Sequence, residues 1–259
     1  LLRFLFTFLL ALASLPAATG FLDAELTLGG KVWSYQVYVP RDYTPSRPWP
    51  VILYLHGIGQ RGADGLTQTT NGLPDAIRQY PSRYPAIVVI PQVPIGSAWA
   101  GESLAVALAA LDRATAQYRT DRDRVYLTGL SMGGLGSYLI ALREPARFAA
   151  IVILCAALEI PASVPPDLMP LLAIKDSLIP PLEKVPELWK SRTPLRIYAG
   201  GRDTLVPPAK VLITVEAIRQ SGANVDFREL PSANHNVWDP VYRDPEFPTW
   251  LFAQQRPAP

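Results

Sequence analysis

Three observations predict an α/β fold built on a mostly parallel sheet with helices on both faces. Strand-like and helix-like stretches alternate along most of the chain. Runs such as Val51-Ile52-Leu53-Tyr54-Leu55 and Val125-Tyr126-Leu127-Thr128 are β-branched, aromatic and nearly continuous in apolar character, as strands buried on both faces are. The pentapeptide Gly129-Leu130-Ser131-Met132-Gly133 stands where one of these strands gives way to a helix. With 259 residues, 49% of them hydrophobic, the chain can fill one sizeable core, so a single domain is expected.

The elements follow in order. Arg3, the apolar stretch Phe4 to Leu15 and then Pro16-Ala17-Ala18-Thr19-Gly20 have the positive, hydrophobic and small-residue order of a signal peptide, assigned to residues 1–20. It is too short for a stable membrane anchor, and a buried helix is the alternative. Residues 21–259 then form the domain. Trp33, Tyr35, Val37 and Val39 alternate with polar neighbours, so Val32–Val39 should be an antiparallel strand near the sheet's start. Next come strands Val51–Leu55 and Ala86–Ile90, helix Ser103–Tyr118 and strand Val125–Thr128. Helix Met132–Leu142 is expected despite Gly133, Gly134 and Gly136, each of which lowers helix propensity by about 1 kcal/mol and lets the helix pack closely on the sheet. Strand Ala149–Leu154, strand Leu195–Ala199, helix Pro208–Gln220, strand Val225–Leu230 and helix Pro248–Gln255 complete the order.

A serine between two glycines at a sharp strand-to-helix turn is exposed in a sparsely populated backbone conformation, which makes Ser131 the candidate nucleophile. A hydroxyl needs a base to take its proton, and the chain has two histidines. The turn resembles that of the α/β-hydrolases, which run serine, acid, histidine along the chain, so the resemblance makes His235 the expected base. Asp203 follows the strand Leu195–Ala199 and Gly200-Gly201-Arg202, at the sheet edge where ligand sites form, and is the candidate orienting acid. A simple turn role for Asp203 is the alternative, with Glu159 as the second candidate acid. His56-Gly57-Ile58-Gly59 follows a buried strand and could aim a backbone N–H at a developing oxyanion, so the Ile58 and Met132 amides are the expected oxyanion donors.

Leu55-His56-Gly57-Ile58-Gly59-Gln60-Arg61-Gly62, Pro91-Gln92-Val93-Pro94 with Trp99, Asp123 to Gly134, and His235 with Trp238-Asp239 resemble the secreted α/β-hydrolase esterases. The group is often labelled predicted peptidase and is similar to feruloyl esterases and polyhydroxybutyrate depolymerases. The resemblance covers about Gly29 to Phe252. It implies an α/β-hydrolase fold and a serine carboxylesterase that uses Ser131, Asp203 and His235. Gln60 stands where the group usually has glutamate, and Cys155-Ala156-Ala157 replaces a glycine-rich stretch. Residues 157–194 are longer than the group's usual connection and carry seven prolines from Pro161 to Pro186. They are read as a proline-rich cap over the site, with short helices at Leu168–Ile174 and Glu183–Trp189; a surface excursion is the alternative.

His56, Trp99, Trp189 and Trp238 are candidate substrate-binding residues, against the alternatives that His56 braces its loop and the tryptophans simply pack. A formal charge of +2 without a basic cluster gives no argument for nucleic acid, and two histidines with one cysteine leave no metal site or other cofactor expected. Lone Cys155 at a strand end reads as a small core residue. The expected partner is therefore an ester substrate, small or polymeric, met by a secreted or periplasmic monomer with no membrane contact after leader cleavage. A serine peptidase and a non-catalytic binding protein of the same fold are the two other readings.

Overall fold

The computed structural model describes residues 18–158 and 179–256. One eight-stranded sheet organises the chain: β1 (Gly20–Leu28), β2 (Lys31–Val39), β3 (Trp49–Leu55), β4 (Ile87–Pro91), β5 (Thr120–Leu130), β6 (Ala150–Leu154), β7 (Leu195–Gly200) and β8 (Val225–Leu230). Their spatial order is β1-β2-β4-β3-β5-β6-β7-β8. From β4 to β8 every neighbouring pair is parallel, whereas β2 pairs antiparallel with both β1 and β4. The alternating Val32–Val39 segment is thus the antiparallel strand its pattern predicts. Its inner half is buried on both sides, even at Gln36, because that amide finds partners in Asp23 and the Gly65 carbonyl.

Seven helices are described: α1 (Leu73–Gln79), α2 (Glu102–Gln117), α3 (Met132–Arg143), α4 (Val185–Leu188), α5 (Pro208–Gln220), α6 (Trp238–Arg243) and α7 (Glu246–Phe252). They cover both faces of the sheet. On one face Leu104, Leu111, Leu135, Tyr138, Val211 and Ile218 of α2, α3 and α5 pack on Leu53, Leu127 and Ile153. On the other, Leu73, Ile77, Val241, Tyr242 and Phe247 of α1, α6 and α7 pack on Ile52, Tyr126 and Val152. Successive strand residues therefore feed opposite cores, which is why the central strands lack a polar face.

Several expectations are corrected. β1 opens at Gly20, where the expected leader ends, and in it Ala24 and Leu26 turn inward between Asp23, Glu25 and Thr27. Residues 1–17 of the expected leader lie outside the described residues, as do the expected helix Leu168–Ile174 and the alternative acid Glu159. Of the second cap helix, α4 is a single turn preceded by a 3₁₀ turn at Leu182–Lys184. Helix α7 starts two residues before Pro248, after Pro245 in the N-cap position, and the Asp244 carboxylate accepts the Glu246 N–H at 2.9 Å. Helices α1 and α6 were not expected; each is only a turn or two long, too short to show a 3.6-residue period.

Candidate active site

Ser131 sits between β5 and α3 with φ 52° and ψ −117°, and it and Cys155 are the described non-glycine residues with positive φ. Such a backbone costs about 1–3 kcal/mol and persists only when its surroundings impose it. They do so from both sides. The Ser131 N–H donates to the Leu154 carbonyl on β6 at 2.9 Å, and its carbonyl accepts the Leu135 N–H of α3 at 3.1 Å. Tight approach then excludes side chains around the turn: a carbon on Gly133 would lie 2.0 Å from the Leu55 carbonyl oxygen, and one on Gly129 2.2 Å from that of Gly133.

His235 lies on the loop between β8 and α6. Its Nε2 is 2.9 Å from Ser131 Oγ and its Nδ1 is 2.7 Å from Asp203 Oδ2. A carboxylate can only accept, so the proton is on Nδ1 and Nε2 presents its lone pair to the serine hydroxyl. Asp203 is 4% exposed, and its other oxygen accepts the Leu205 and Val206 N–H groups at 2.8 and 2.9 Å. Asp203 thus makes the turn contacts with one carboxylate oxygen and the contact to the imidazole with the other. These bonds compensate a buried charge that would be costly alone. The β7 and β8 loops are tied together as well, since Gly201 N–H donates to Leu230 O and Arg202 N–H to Ala233 O, each at 2.9 Å.

Ile58 begins a 3₁₀ turn and Met132 begins α3, positions whose N–H groups have no acceptor within their own helical turns. The two turns are drawn together because Gly133 brings α3 against the Leu55 and His56 carbonyls. Backbone N–H groups at the starts of two neighbouring turns are the kind of donor an oxyanion site uses.

The structure separates the candidate substrate-binding residues. His56 is 0% exposed, with Nδ1 at 2.7 Å from its own loop's Gly57 carbonyl and Nε2 accepting the Val93 N–H at 3.0 Å. Both ring nitrogens are occupied, so the expectation that it touches substrate is corrected: it braces the loop that carries Ile58. Trp99, 1% exposed, stacks edge-on against that imidazole and donates Nε1–H to the His56 carbonyl at 2.9 Å. Trp189, 2% exposed, packs edge-on against Tyr138 beneath α3. Each is enclosed in the core, which corrects the expectation that they touch substrate. Trp238 alone is half-buried and beside the chemistry, its ring 5.7 Å from that of His235.

Burial, partly opposed by the Gly57 carbonyl, holds the His56 pKa down at about 4, against 6.5 for a free side chain. Because folding depresses this pKa, the unfolded chain binds more protons between pH 6.5 and 4, so stability is full above that window and falls as pH drops through it. The gap is worth about 3 kcal/mol. A His56→Asn variant, with no ring to protonate, is expected to show a flatter fall of unfolding free energy from pH 7 to 4, measured by urea denaturation. An equally steep fall would show that His56 is not the group that titrates. Burial also pushes the Cys155 thiol well above its usual range, which keeps it a neutral core group.

Sequence reasoning missed the device that shapes the histidine loop. Asn236 Oδ1 accepts the Asp239 N–H at 3.1 Å, and Asn236 Nδ2 donates back to Asp239 Oδ2 at 2.9 Å. This reciprocal pair at the start of α6 has the Asn-x-x-Asp spacing of a helix cap, a signal present in the sequence.

Residues 28–194 match the family described as "Putative esterase". Among solved structures the chain is similar to a thermostable esterase, at 25% identity and a TM-score of 0.71, over 91% of this chain and 63% of that one. The chain therefore spans less than two thirds of that protein. It is also similar to a ferulic acid esterase (21% identity, TM-score 0.70, 90% and 98% of the two chains). A third likeness is to FphF of Staphylococcus aureus, a fluorophosphonate-binding serine hydrolase (20% identity, TM-score 0.69, 91% and 99%). No curated protein sequence matches the chain. The shared architecture is the α/β-hydrolase fold that the sequence resemblance implies.

Proposed function

We propose that this chain, which belongs to the Esterase family, is a serine carboxylesterase that hydrolyses esters through an acyl-enzyme on Ser131. One observation carries the reading: the unbroken hydrogen-bonded line from Asp203 Oδ2 through the imidazole of His235 to Ser131 Oγ. In the first half-reaction Oγ attacks the carbonyl carbon while His235 Nε2 takes its proton, so a neutral hydroxyl never has to ionise unaided. The carbonyl oxygen gains charge beside the Ile58 and Met132 amides, each worth about 3 kcal/mol of barrier. The imidazolium, held by Asp203, then returns the proton to the departing alkoxide oxygen. Water repeats the cycle on the acyl-enzyme and frees the acid.

Ester chemistry is preferred to peptide chemistry on the family assignment, and all three catalytic groups are present, which disfavours a non-catalytic binding role. Among acyl groups, the likeness to a ferulic acid esterase makes feruloyl esters the first to try, beside short-chain esters and polyesters. Export to the periplasm or medium belongs to the same proposal and rests on the residue order of the amino terminus.

A fluorophosphonate should label Ser131 and no other residue, as read by peptide mass spectrometry, and p-nitrophenyl acetate should be turned over far faster than peptide amides. An unlabelled serine would favour the binding-protein reading. Comparable amide rates would favour a peptidase.

A further inference from the structure

We propose that Trp238 is a positioning residue for His235: its indole fixes the tilt of the imidazole from which Nε2 reaches Ser131. The proposal rests on the catalytic reading of Ser131, Asp203 and His235. The imidazole turns on its Cα–Cβ and Cβ–Cγ bonds, and the hydrogen bonds at Nδ1 and Nε2 oppose that rotation. The bond to Ser131 is also the one that changes during the reaction, because Oγ gives up its proton and becomes acylated. Through the step in which the ring hands the proton to the leaving group, Asp203 holds Nδ1, and a contact that takes no part in proton transfer would help hold the tilt of the ring. Trp238 makes that contact. The two ring centroids are 5.7 Å apart and the planes meet at 86°, an edge-to-face arrangement within the attractive range for aromatic rings.

The indole is itself held rigidly. The reciprocal Asn236–Asp239 bonds bracket Trp238 from both sides in sequence. Asp239 lies 3.5 Å from the Arg243 guanidinium, which bonds Asp75 of α1 at 2.8 Å and so ties the histidine loop to a second helix. The indole N–H bears on what holds the ring, and Trp238 shares its state with the core residue Trp189. Among the described residues the Trp238 Nε1 is buried and has no hydrogen-bond partner, whereas that of Trp99 has the His56 carbonyl. With no hydrogen bond at Nε1, the Trp238 contact with His235 is made by the ring alone, so another aromatic ring should substitute for it and an aliphatic side chain should not.

The test compares Trp238→Phe with Trp238→Leu, both of which keep apolar volume at the position. Two readouts are needed: kcat and KM for p-nitrophenyl acetate, and the rate of inactivation by a small fluorophosphonate, with melting temperature followed alongside. Trp238→Leu should lower kcat and the inactivation rate together by about tenfold, the rate equivalent of the upper end of an edge-to-face pair, with KM within about twofold. Trp238→Phe should stay within about twofold of the parent in all three. The proposal is overturned if Trp238→Leu matches the parent, if it raises KM alone, or if Trp238→Phe is as slow as Trp238→Leu. Should Trp238→Leu not fold, Trp238→Met carries the same comparison. His235→Ala run in parallel separates the two levels of inference. Loss of turnover there with none in Trp238→Leu sinks the positioning role only, whereas turnover surviving in His235→Ala sinks the catalytic reading and this proposal with it.

Discussion

Ser131→Ala and His235→Ala are each expected to lower kcat for p-nitrophenyl acetate by a factor on the order of 10⁶, while the melting temperature stays near that of the parent chain. The size follows from the geometry. With Nε2 2.9 Å from Oγ, nucleophile and base share one proton, and neither is useful without the other. The double variant should therefore be about as slow as either single one. A double variant slower by the product of the two factors would mean that the groups act independently and that the shared-proton mechanism is wrong. Residual turnover above the uncatalysed rate is expected in all three chains, because the oxyanion donors on Ile58 and Met132 remain.

Gly133→Ala is expected to have the largest effect of any change that adds a single carbon. The new methyl group would lie 2.0 Å from the Leu55 carbonyl oxygen and 2.7 Å from that of His56, and both obstacles are backbone. No rotamer relieves such a clash, so β3 and its following loop must part from α3. Separation breaks close packing in the centre of the sheet, for which a loss of more than about 4 kcal/mol is expected in urea denaturation. It also moves Ile58 away from Met132, and losing one oxyanion donor lowers kcat by about 10²–10³-fold. Stability and kcat should fall together, with KM little changed. A Gly133→Ala chain that keeps its stability would show that α3 does not approach β3 as closely as described. One that loses stability but keeps kcat when folded would remove Ile58 from the oxyanion role.

Much of the candidate site was legible because its signals lie in consecutive residues. Gly129 to Gly133 encodes a tight turn, since only a residue without a side chain tolerates the contacts at its two ends. The order Ser131, Asp203, His235 was read from the α/β-hydrolase pattern, and it fits a parallel sheet whose strands end at the same edge, so residues just past β5, β7 and β8 come to one side. The tryptophans were not legible. Trp99, Trp189 and Trp238 have the same composition of apolar body and polar tip, and any of them suits a pocket or a core. What separates them is whether α3, the His56 loop or solvent stands beside each ring, and that is a matter of long-range packing.

The residues by themselves determined the fold class, the strained serine turn and the identity of three groups able to share a proton, because backbone preference, strand burial and turn sterics act over a few neighbouring positions. Only the tertiary structure decided which atoms of those groups meet. Asp203 turns one oxygen to its own loop and the other to His235 because Gly200 lets the β7 loop lie against the Asn234 carbonyl, a contact between residues more than thirty positions apart. The same holds for His56, a histidine in a glycine-rich loop whose two nitrogens are claimed by Gly57 and Val93 once β3 and β4 are side by side. Hydrogen-bonding capacity is written in the residue type, but which partner uses it depends on what the folded chain brings within 3 Å.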